Sequence, residues 1–297
     1  MRSSFKAKLE REGLAPRTVS FYVETVHAVL RILGEGGRST SPTEIDHDDV
    51  RYLLDFFIAN DFAMQTRKGY ISALRKYCRT YGSPLVSSWP KARLPPDTRP
   101  CVDWLTPDQS RTLLSYPELT PLQKLVVHME LCLGLRHVEV IRVMIMDIDD
   151  SERIIRIRGK GPAGGKPRIV PFSYKTGEVL DEWIQTRTDL VRKCMERSEH
   201  TTIPDNLIVW YKAGKLHAYS EEGYGLDKMV SLPLSDKLGF HFSNHTLRRT
   251  FGRELYRNGI PVATIAKILG HESTEVTLKY IGIDLDDMRN AMSRVVW

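Results

Sequence analysis

The chain has 297 residues, enough for one or two domains with a substantial hydrophobic core. Its net charge of +6 is compatible with a nucleic-acid partner, and its hydrophobic fraction of 41% is ordinary for a soluble globular protein. No apolar run approaches the ~18 residues of a membrane span, the N-terminus has no signal-peptide stretch, and the four widely spaced cysteines argue against zinc or a disulfide framework. We therefore expect a cytoplasmic protein with reduced thiols.

Residues 1–90 are predicted to form an all-helical domain. Apolar residues at helical spacing predict a helix over residues 16–33, and a glycine-rich segment ends it. Two further helices are predicted over residues 50–59 and 65–81, and acidic residues precede the first of these two.

The helix predicted over residues 65–81 carries several basic side chains. Residues 1–95 hold fifteen Lys and Arg against ten Asp and Glu, so most of the excess positive charge lies in this part of the chain. Such a face is either a solvated charged surface or a grip on DNA phosphates, which sets position rather than sequence choice. The basic residues that lie mostly off the apolar stripe are Lys68, Arg75, Lys76 and Arg79.

A basic, proline-rich linker is predicted over residues 91–104. Three prolines within it forbid a continuous helix and favour an extended path, and three Lys or Arg residues make it basic. Thr106 and Pro107 then form a helix start, as the N-cap and the first helical residue. The second domain is therefore expected to cover residues 105–297.

This second domain is predicted to combine helices with a small β-hairpin. Charged and β-branched residues alternate over residues 153–158, which predicts a strand, and a Pro-Ala-Gly-Gly turn separates it from a returning strand over residues 168–171. Residues 198–242 show little pattern, apart from a short strand predicted over residues 207–211. Helices are predicted over residues 122–133, 138–144, 177–197, 245–257, 261–269 and 275–280.

Six residues of the second domain combine cations, imidazoles and a phenol, a set suited to gripping and attacking a phosphodiester. One arginine stands in Gly-Leu-Arg-His-Val-Glu, where the glutamate is Glu139, and one lysine stands in Gly-Lys-Gly. A His-x-x-Arg pair follows, then Leu-Gly-His, and a tyrosine nine residues further on. In chain order the six residues are Arg136, Lys160, His245, Arg248, His271 and Tyr280.

This ordered set resembles that of the tyrosine recombinases of the phage-integrase type, and the resemblance extends over nearly the whole chain. It implies two mainly α-helical domains: an all-helical, SAM-like core-binding domain and a mixed α+β catalytic domain. It also implies a site-specific recombinase or integrase that cleaves and rejoins DNA strands through a 3′-phosphotyrosine. The implied partners are double-stranded DNA and further copies of the chain, as a tetramer on paired sites. No metal or nucleotide cofactor is implied.

The resemblance and the chemistry of phosphate together assign the first roles. The non-bridging oxygens of a phosphodiester gain negative charge under attack, and planar guanidinium groups match those oxygens. We assign this clamp to Arg136 and Arg248, with Glu139 holding Arg136 from the same helix face. Tyr280 is chosen as the nucleophile by its place after His271 and by the resemblance.

Proton handling is assigned to the histidines and to a lysine. A phenol needs a base or cationic surroundings to attack at neutral pH, and His245 is the candidate for its proton. His271 follows a glycine that can end a helix, so we expect its ring to point towards the phosphate. The leaving 5′-hydroxyl needs a proton, and Lys160 is the first candidate to supply it.

The turn that contains Lys160 departs from the family's usual pattern. The family commonly has Gly-Lys-Gly-x-Lys-x-Arg, whereas the turn here is longer and carries Lys166 near its end. Lys166 therefore remains a rival to Lys160 as the general acid. Lys166 and Arg168 are also expected to contact DNA. Arg249 stands where the family often has a second histidine.

Two other functions share parts of this pattern. Residues 255–276 look like a helix-turn-helix, as in a non-catalytic DNA-binding protein, but such a protein needs neither the Arg136 motif nor Tyr280. A tyrosine topoisomerase of the 3′-linked type shares the chemistry on a related fold. The sequence does not give the target site, and it does not separate integration of a mobile element from excision or dimer resolution.

The segment after Tyr280 is predicted to form a short amphipathic helix at the end of the catalytic domain. Its apolar stripe needs a surface to cover it, either on its own domain or, as the resemblance suggests, on a neighbouring subunit. The residues of that stripe are Leu285, Met288, Met292 and Val295.

Overall fold

The structure, a computed structural model, divides into two compact units, Met1–Pro100 and Cys101–Trp297. Apart from Asp103 and Trp104, the predicted linker over residues 91–104 lies outside the described residues. No helix in the described part of the chain is long and apolar enough to cross a membrane. The residues that the structure describes are 2–90, 103–159, 167–197, 202–221, 225–282, 287, 289, 292 and 293.

The first unit is built from four helices and a short 3-10 turn at Pro84–Val86. The three helices predicted from apolar spacing are present, each within a few residues of its predicted ends. A further helix precedes them. Its buried apolar residues are Phe5 and Leu9, too short a stripe for helical spacing to reveal. The four helices are α1 (Arg2–Arg11), α2 (Pro16–Glu35), α3 (His47–Ala59) and α4 (Met64–Thr80).

Aromatic packing and helix capping hold the first unit together. Phe5 of α1 meets Tyr77 of α4 edge-on, with ring centroids 5.2 Å apart, and Phe57 of α3 is fully buried. Asp46 and Asp49 form a capping box that satisfies backbone N–H groups at the start of α3. The acidic residues before the second predicted helix therefore belong to its first turn.

The second unit holds the remaining elements, and it is mainly helical with short strands. Its helices are α5 (Pro107–Leu114), α6 (Pro121–Val127), α7 (His137–Arg142), α8 (Tyr174–Met195), α9 (Gly225–Met229), α10 (Ser231–Leu238), α11 (Asn244–Arg257), α12 (Val262–Leu269) and α13 (Thr274–Ile281). Its strands are β1 (Ile148–Asp149), β2 (Ile154–Arg158), β3 (Pro167–Pro171), β4 (Val209–Lys212) and β5 (Lys215–Ala218).

The strands form two small antiparallel sheets. One has the order β1-β2-β3, and the other pairs β4 with β5. Arg158 pairs with Pro167, so residues 159–166 connect β2 to β3. Ile155 and Val170 face each other across the pair and are buried in the core. The predicted hairpin is confirmed, and the strand predicted over residues 207–211 is observed as β4.

The helix predicted over residues 122–133 is interrupted by a wider turn. Helix α6 gives way to a π-helical segment, His128–Cys132, in which the Leu133 N–H donates to the His128 carbonyl oxygen at 3.2 Å. Such a turn inserts an extra residue into the helix and is frequent at functional sites. Glu130 lies within this segment and is fully buried. A pattern of apolar residues gives no sign of this insertion.

The last three helices pack closely on one another. A Cβ added at Gly252 of α11 would lie 3.3 Å from Leu269 of α12 and 3.8 Å from Ile281 of α13. Ile265, Leu269 and Ile281 form a separate small apolar cluster there. The molecule therefore has the expected mainly α-helical architecture, with an all-helical first unit and a mixed second unit.

Candidate active site

Arg136 is the N-cap of helix α7, two residues after Gly134. The backbone of Gly134 has φ 64°, and a Cβ there would lie 2.3 Å from the ring of Phe251, so the position requires glycine. The Arg136 Nη1 donates to Glu139 Oε1 at 2.9 Å, and its Nη2 donates to the Gly270 carbonyl oxygen at 3.0 Å. A quarter of the Arg136 side chain stays exposed, at 25%, so a ligand can reach it.

Glu139 is a fully buried carboxylate that three arginines share. Both its oxygens accept from the fork of Arg168, at 2.6 and 2.8 Å, and Arg248 Nη1 lies 3.6 Å from Oε2. Burial alone would raise the pKa of Glu139. The hydrogen bonds and charge of Arg168, the backbone N–H of Arg136 and the charge of Arg248 outweigh burial, and they lower that pKa. An ionised Glu139 therefore fixes the directions of three guanidinium groups.

Arg168 lies among the supports of this site rather than on an open surface. Its Nε donates to the Ile268 carbonyl oxygen at 3.0 Å, and both its Nη atoms donate to Glu139. Its side chain is 12% exposed. The expectation that Arg168 contacts DNA stays a prediction, but all three of its nitrogens are directed at protein acceptors. Sequence reasoning missed this because Glu139, its partner, is 29 residues away in the chain.

Arg248 projects from α11 into the protein and is almost completely buried. Its Nη1 donates to the Gly134 carbonyl oxygen, and its Nη2 donates to the Leu269 carbonyl oxygen at 2.5 Å. Burial and the neighbouring charge of Arg136 lower the pKa of Arg248 to about 10, so it remains charged at neutral pH. Both Arg136 and Arg248 are thus held at Glu139, with Arg136 the more exposed of the two.

His271 follows Gly270, whose φ of 65° ends α12 and turns the chain. The His271 Nε2 lies 3.4 Å from Arg248 Nη2, and its Nδ1 lies 2.8 Å from Thr277 Oγ1. An arginine only donates, so Nε2 is the acceptor and the ring carries its proton on Nδ1. Burial and the charges of Arg248 and Arg136 lower the pKa of His271 to about 4, which keeps the ring neutral.

Tyr280 lies on α13 beside His271 and two arginines. Its ring meets that of His271 edge-on at 5.1 Å, and the guanidinium carbons of Arg248 and Arg249 lie 5.8 and 5.5 Å from its centroid. The Tyr280 hydroxyl is buried and has no hydrogen-bond partner among the described residues. Removal from water raises the pKa of Tyr280, and the charges of Arg248 and Arg249 only partly offset that effect. Arg249, which sequence reasoning left without a role, thus lies against the ring of Tyr280.

His245 stands in the first turn of α11, which Ser243 caps by accepting from the Thr246 N–H. Its side chain is exposed, in contrast with Arg248 one turn further on. Partial removal from water and the charges of Arg249 and Arg248 lower the pKa of His245. Its ring is therefore available to a ligand as a neutral base.

The remaining predicted site residues lie apart from this cluster or outside the described residues. Lys160 and Lys166, the two candidates for the general acid, lie outside them. The basic side chains of α4 differ in their surroundings. Lys76 pairs with Glu12, just after α1, whereas Lys68, Arg75 and Arg79 are exposed. Within the described residues, no group of His, Cys, Asp and Glu is arranged to hold a metal ion.

A polar group behind the site was not foreseen from the sequence. Glu130 Oε1 lies 3.4 Å from His137 Nδ1, and the Asn244 side-chain nitrogen lies 2.7 Å from the same ring atom. Asn244 also donates to Asp227 at 2.5 Å. Burial raises the pKa of Glu130 to about 7, although His137 opposes the shift. Because Arg136 precedes His137 and His245 follows Asn244, this group joins the helix starts that carry two of the site residues.

Comparison with protein families gives this geometry its context. The family model described as the phage integrase family matches residues 103–285, which is more than half of the chain. The chain belongs to the phage integrase family. A second model, the N-terminal SAM-like domain of phage integrases, matches residues 3–80. The first unit therefore corresponds to the SAM-like domain, and the second contains the family's catalytic region.

Relatives with assigned activities are similar over nearly their full length. The tyrosine recombinase XerA of Thermococcus kodakarensis is 25% identical, over 98% of this chain and 93% of its own length. The tyrosine recombinase XerC of Oceanobacillus iheyensis is 26% identical, over 94% of this chain and 90% of its own. The chain is thus an enzyme, a site-specific recombinase of the tyrosine type. The topoisomerase and the non-catalytic DNA-binding protein are not favoured.

Solved structures share the fold. The Tn1549 transposon integrase, solved with a circular intermediate DNA, aligns with a TM-score of 0.70 at 16% identity and covers 99% of both chains. The XerH site-specific recombinase, solved with its difH substrate before cleavage, aligns with a TM-score of 0.64 at 18% identity, over 99% of this chain and 84% of its own. At these identities the likeness concerns the fold alone.

Proposed function

We propose that this recombinase cleaves DNA by attack of Tyr280 on a phosphodiester that Arg136 and Arg248 hold. The phenol oxygen bonds to phosphorus, the 5′-hydroxyl leaves, and a 3′-phosphotyrosine remains until another 5′-hydroxyl reverses the step. One observation carries the proposal: Arg136, Arg248, His271 and Tyr280 come from separate parts of the second unit and converge around the buried carboxylate of Glu139.

The arrangement of the arginines supports a phosphate clamp. Glu139 and backbone carbonyl oxygens fix Arg136 and Arg248 before any ligand arrives, so little reorganisation is needed when charge develops on the phosphate. Planar guanidinium groups donate in pairs to phosphate oxygens. We assign Arg168 to this support through Glu139, in place of a contact with DNA.

Proton transfer at the nucleophile falls to the neutral histidines. Tyr280 has a raised pKa, so its phenol is protonated at neutral pH and must lose its proton during attack. His245 is exposed and has a lowered pKa, which suits a base that meets the phenol and the phosphate together. Arg248 donates towards His271 Nε2, so His271 carries its proton on Nδ1, facing Thr277. The ring of His271 then packs edge-on against that of Tyr280 and helps to orient it.

Replacement of Tyr280 by phenylalanine tests the nucleophile directly. The variant keeps the ring and loses only the hydroxyl, so DNA binding should persist while the covalent protein–DNA adduct disappears. The adduct is measured on a denaturing gel with a nicked suicide substrate, which prevents religation. Tyr256→Phe, at another partly buried tyrosine of the same region, is the control and should retain the adduct. A covalent band with Tyr280→Phe would eliminate Tyr280 as the nucleophile.

Lys160 is proposed as the general acid for the leaving 5′-hydroxyl, with Lys166 as the rival. A substrate with sulfur in place of the bridging 5′-oxygen leaves without protonation, because a thiolate is a far better leaving group than an alkoxide. Such a substrate should restore cleavage by Lys160→Ala and not by Arg136→Ala. If it restores cleavage by Lys166→Ala instead, the role belongs to Lys166.

We assign the first unit and the linker a share in binding double-stranded DNA. Lys68, Arg75 and Arg79 are exposed on α4 and recur at helical spacing, which gives one basic face. The Tn1549 transposon integrase and XerH, which share this fold, were both solved with DNA. Replacing the three residues by glutamine should weaken binding to all sequences alike and reduce its salt dependence. Unchanged affinity at low salt would assign the face to solvent.

The proposed assembly is a tetramer on paired DNA sites. The tail after Tyr280 lies largely outside the described residues, but Met292, part of its predicted stripe, is 72% exposed. An exposed apolar side chain at Met292 supports a tail that packs on a neighbouring subunit. Truncation after Asp287 should then leave DNA binding by one copy intact and weaken the multimer. Sedimentation on a two-site DNA measures this, and an unchanged tetramer would place the stripe on its own domain.

A further inference from the structure

Arg253 is a buried cation that the proposed chemistry does not use. It lies on α11, and 2% of the residue is exposed. A guanidinium in the protein interior is costly unless acceptors and opposite charges surround it. The surroundings of Arg253 therefore indicate its role, and two of its partners, Gly282 and Asp287, follow the proposed nucleophile in the chain.

The first partner is the end of the nucleophile helix. Arg253 Nη1 donates to the carbonyl oxygen of Gly282, the residue that caps α13 two positions after Tyr280. The last carbonyl groups of a helix accept no hydrogen bond from within the helix. The helix dipole also favours a cation beside them. The second partner, Asp287, lies 2.6 Å from the same nitrogen, so Arg253 holds the chain on both sides of residues 283–286.

The third partner fixes Arg253 itself. Its guanidinium carbon lies 4.5 Å from the ring centroid of Trp104, which precedes helix α5. The segment around Trp104 is tied to the same face of α11, because Thr246 donates to Asp103 at 3.0 Å and Thr250 accepts from the Leu105 N–H at 2.9 Å. The guanidinium is thus held between Trp104 and the end of α13.

Two contacts hold the end of α13. Ile281 inserts into the apolar cluster with Leu269 and is 1% exposed, whereas Arg253 takes the next carbonyl. Tyr280, directly before Ile281, has no hydrogen bond from its hydroxyl within the described part of the chain. The direction of the phenol is therefore set by the position of its helix together with the packing of its ring against His271.

We propose that Arg253 is a positioning residue for cleavage, which anchors the end of α13 through the Gly282 carbonyl and so holds the Tyr280 phenol in line with the phosphate. The inference rests on the proposed role of Tyr280. It assigns Arg253 no contact with DNA and no part in the arginine clamp. Loss of the anchor should therefore affect attack by Tyr280 and leave activation of the phosphate intact.

The test separates these two steps by a change of nucleophile. Arg253→Met keeps the length of the stem and removes the cation. In the otherwise unchanged protein, adduct formation on a nicked suicide substrate measures attack by Tyr280. In the Tyr280→Phe background, hydrogen peroxide supplies the attacking oxygen, and strand cleavage then reports phosphate activation alone. The exposed Arg257→Met on the same helix is the matched control.

Arg253→Met should slow adduct formation by about 10- to 100-fold, the effect of a displacement of the reacting atom of the order of an ångström. Peroxide-promoted cleavage and DNA affinity should stay at the level of the parent protein, and Arg257→Met should change neither. A parallel loss in both assays, or unchanged adduct formation, would overturn the proposal. If Arg253→Met does not fold at the assay temperature, Arg253→Gln, which also removes the cation, enters the same two assays with the same criteria.

Failure of the proposed function has a different signature. A covalent adduct formed by Tyr280→Phe would refute the assignment of the nucleophile, whatever the Arg253 variants do. A selective loss of tyrosine attack in Arg253→Met, with no adduct from Tyr280→Phe, supports both assignments. The two conclusions are therefore tested by different variants: Tyr280→Phe tests the nucleophile, and Arg253→Met tests the anchor.

Discussion

Arg248 shows how one buried side chain combines structure and chemistry. Its two terminal nitrogens donate to carbonyl oxygens of Gly134 and Leu269, which lie on different segments, and Glu139 lies close by. A lysine keeps the charge but has a single terminal nitrogen, so it cannot reproduce this fork. A variant that keeps the charge but changes the geometry of this side chain therefore tests what the guanidinium contributes.

Arg248→Lys should lower single-turnover cleavage by about 100- to 1,000-fold, or about 2.7–4 kcal/mol, the effect of losing one preorganised donor. DNA affinity should fall much less, because the donor acts on charge that develops in the transition state. Cleavage is measured with excess enzyme on a suicide substrate, and Arg257→Lys, exposed on the same helix, is the control. A loss of less than about tenfold, roughly 1.4 kcal/mol, would contradict the clamp role.

Individual site residues were foreseeable to different degrees. The motif order located Arg136, Arg248, His271 and Tyr280, and the structure brings these four together. The destination of Arg168 was not foreseeable, because strand alternation only predicts which face an arginine takes and not which carboxylate it meets. The same holds for Glu130 and His137, which lie on different elements, the π-helical segment and α7. Roles that need the DNA itself stay proposals.

At the scale of elements, glycines decide how closely the helices around the site approach. Gly134 has a left-handed backbone and faces the ring of Phe251, and its carbonyl accepts from Arg248. A side chain there would strain the backbone and push α11 away from α7. The close packing of Gly134 against Phe251 therefore also fixes the carbonyl oxygen to which Arg248 donates.

Gly134→Ala should lower the free energy of unfolding of the second unit by about 2–4 kcal/mol, from left-handed strain plus a steric clash. Gly259→Ala is the matched control, since Gly259 has φ 80° and open space around it. The control should lose only about 1–2 kcal/mol, from strain alone. Urea unfolding measures both variants. Equal losses would show that α11 moves aside without cost.

Elements with local signals were predictable, and elements defined by distant contacts were not. The capping box formed by Thr106 and Gln109 marks the start of α5, and Gly270 marks the end of α12. Helices α9 and α10 and strand β5 were not predicted; α10 carries Pro233 inside its first turns, which hides a helical pattern. Periodicity needs more turns than α9, with its five residues, can offer. The tail, the linker and both hairpin lysines remain predictions.

At the scale of the whole molecule, two buried ionisable groups tie stability to pH in opposite directions. Burial lowers the pKa of His128 to about 4 and raises that of Glu130 to about 7. As pH falls from 6.5 through 4, the unfolded chain takes up the His128 proton first, so stability falls. As pH rises from 4.5 through 7, the unfolded chain loses the Glu130 proton first, so stability falls in that direction.

Glu130→Gln should remove the second of these losses. The variant keeps the size of the side chain and has no proton to lose, so its stability at pH 8 should exceed that of the parent by about 3 kcal/mol relative to the same comparison at pH 4. Urea unfolding at the two pH values measures the difference. Glu254→Gln, an exposed residue of α11, serves as the control. A parent and variant with the same pH dependence would show that Glu130 ionises in the folded protein without penalty.

A protein that cuts DNA meets far more phosphodiesters than the few it should cleave. In the free chain the Tyr280 hydroxyl is shielded from water, lacks a hydrogen-bond partner in the described residues and has a raised pKa. A protonated, shielded phenol is a poor nucleophile, so under the role proposed for Tyr280 the free protein would encounter non-target DNA without breaking it. Restraint of this kind needs no inhibitor and no separate off switch. The avoidance of off-target cleavage would then depend partly on the site before DNA binds, and not only on recognition of the target sequence.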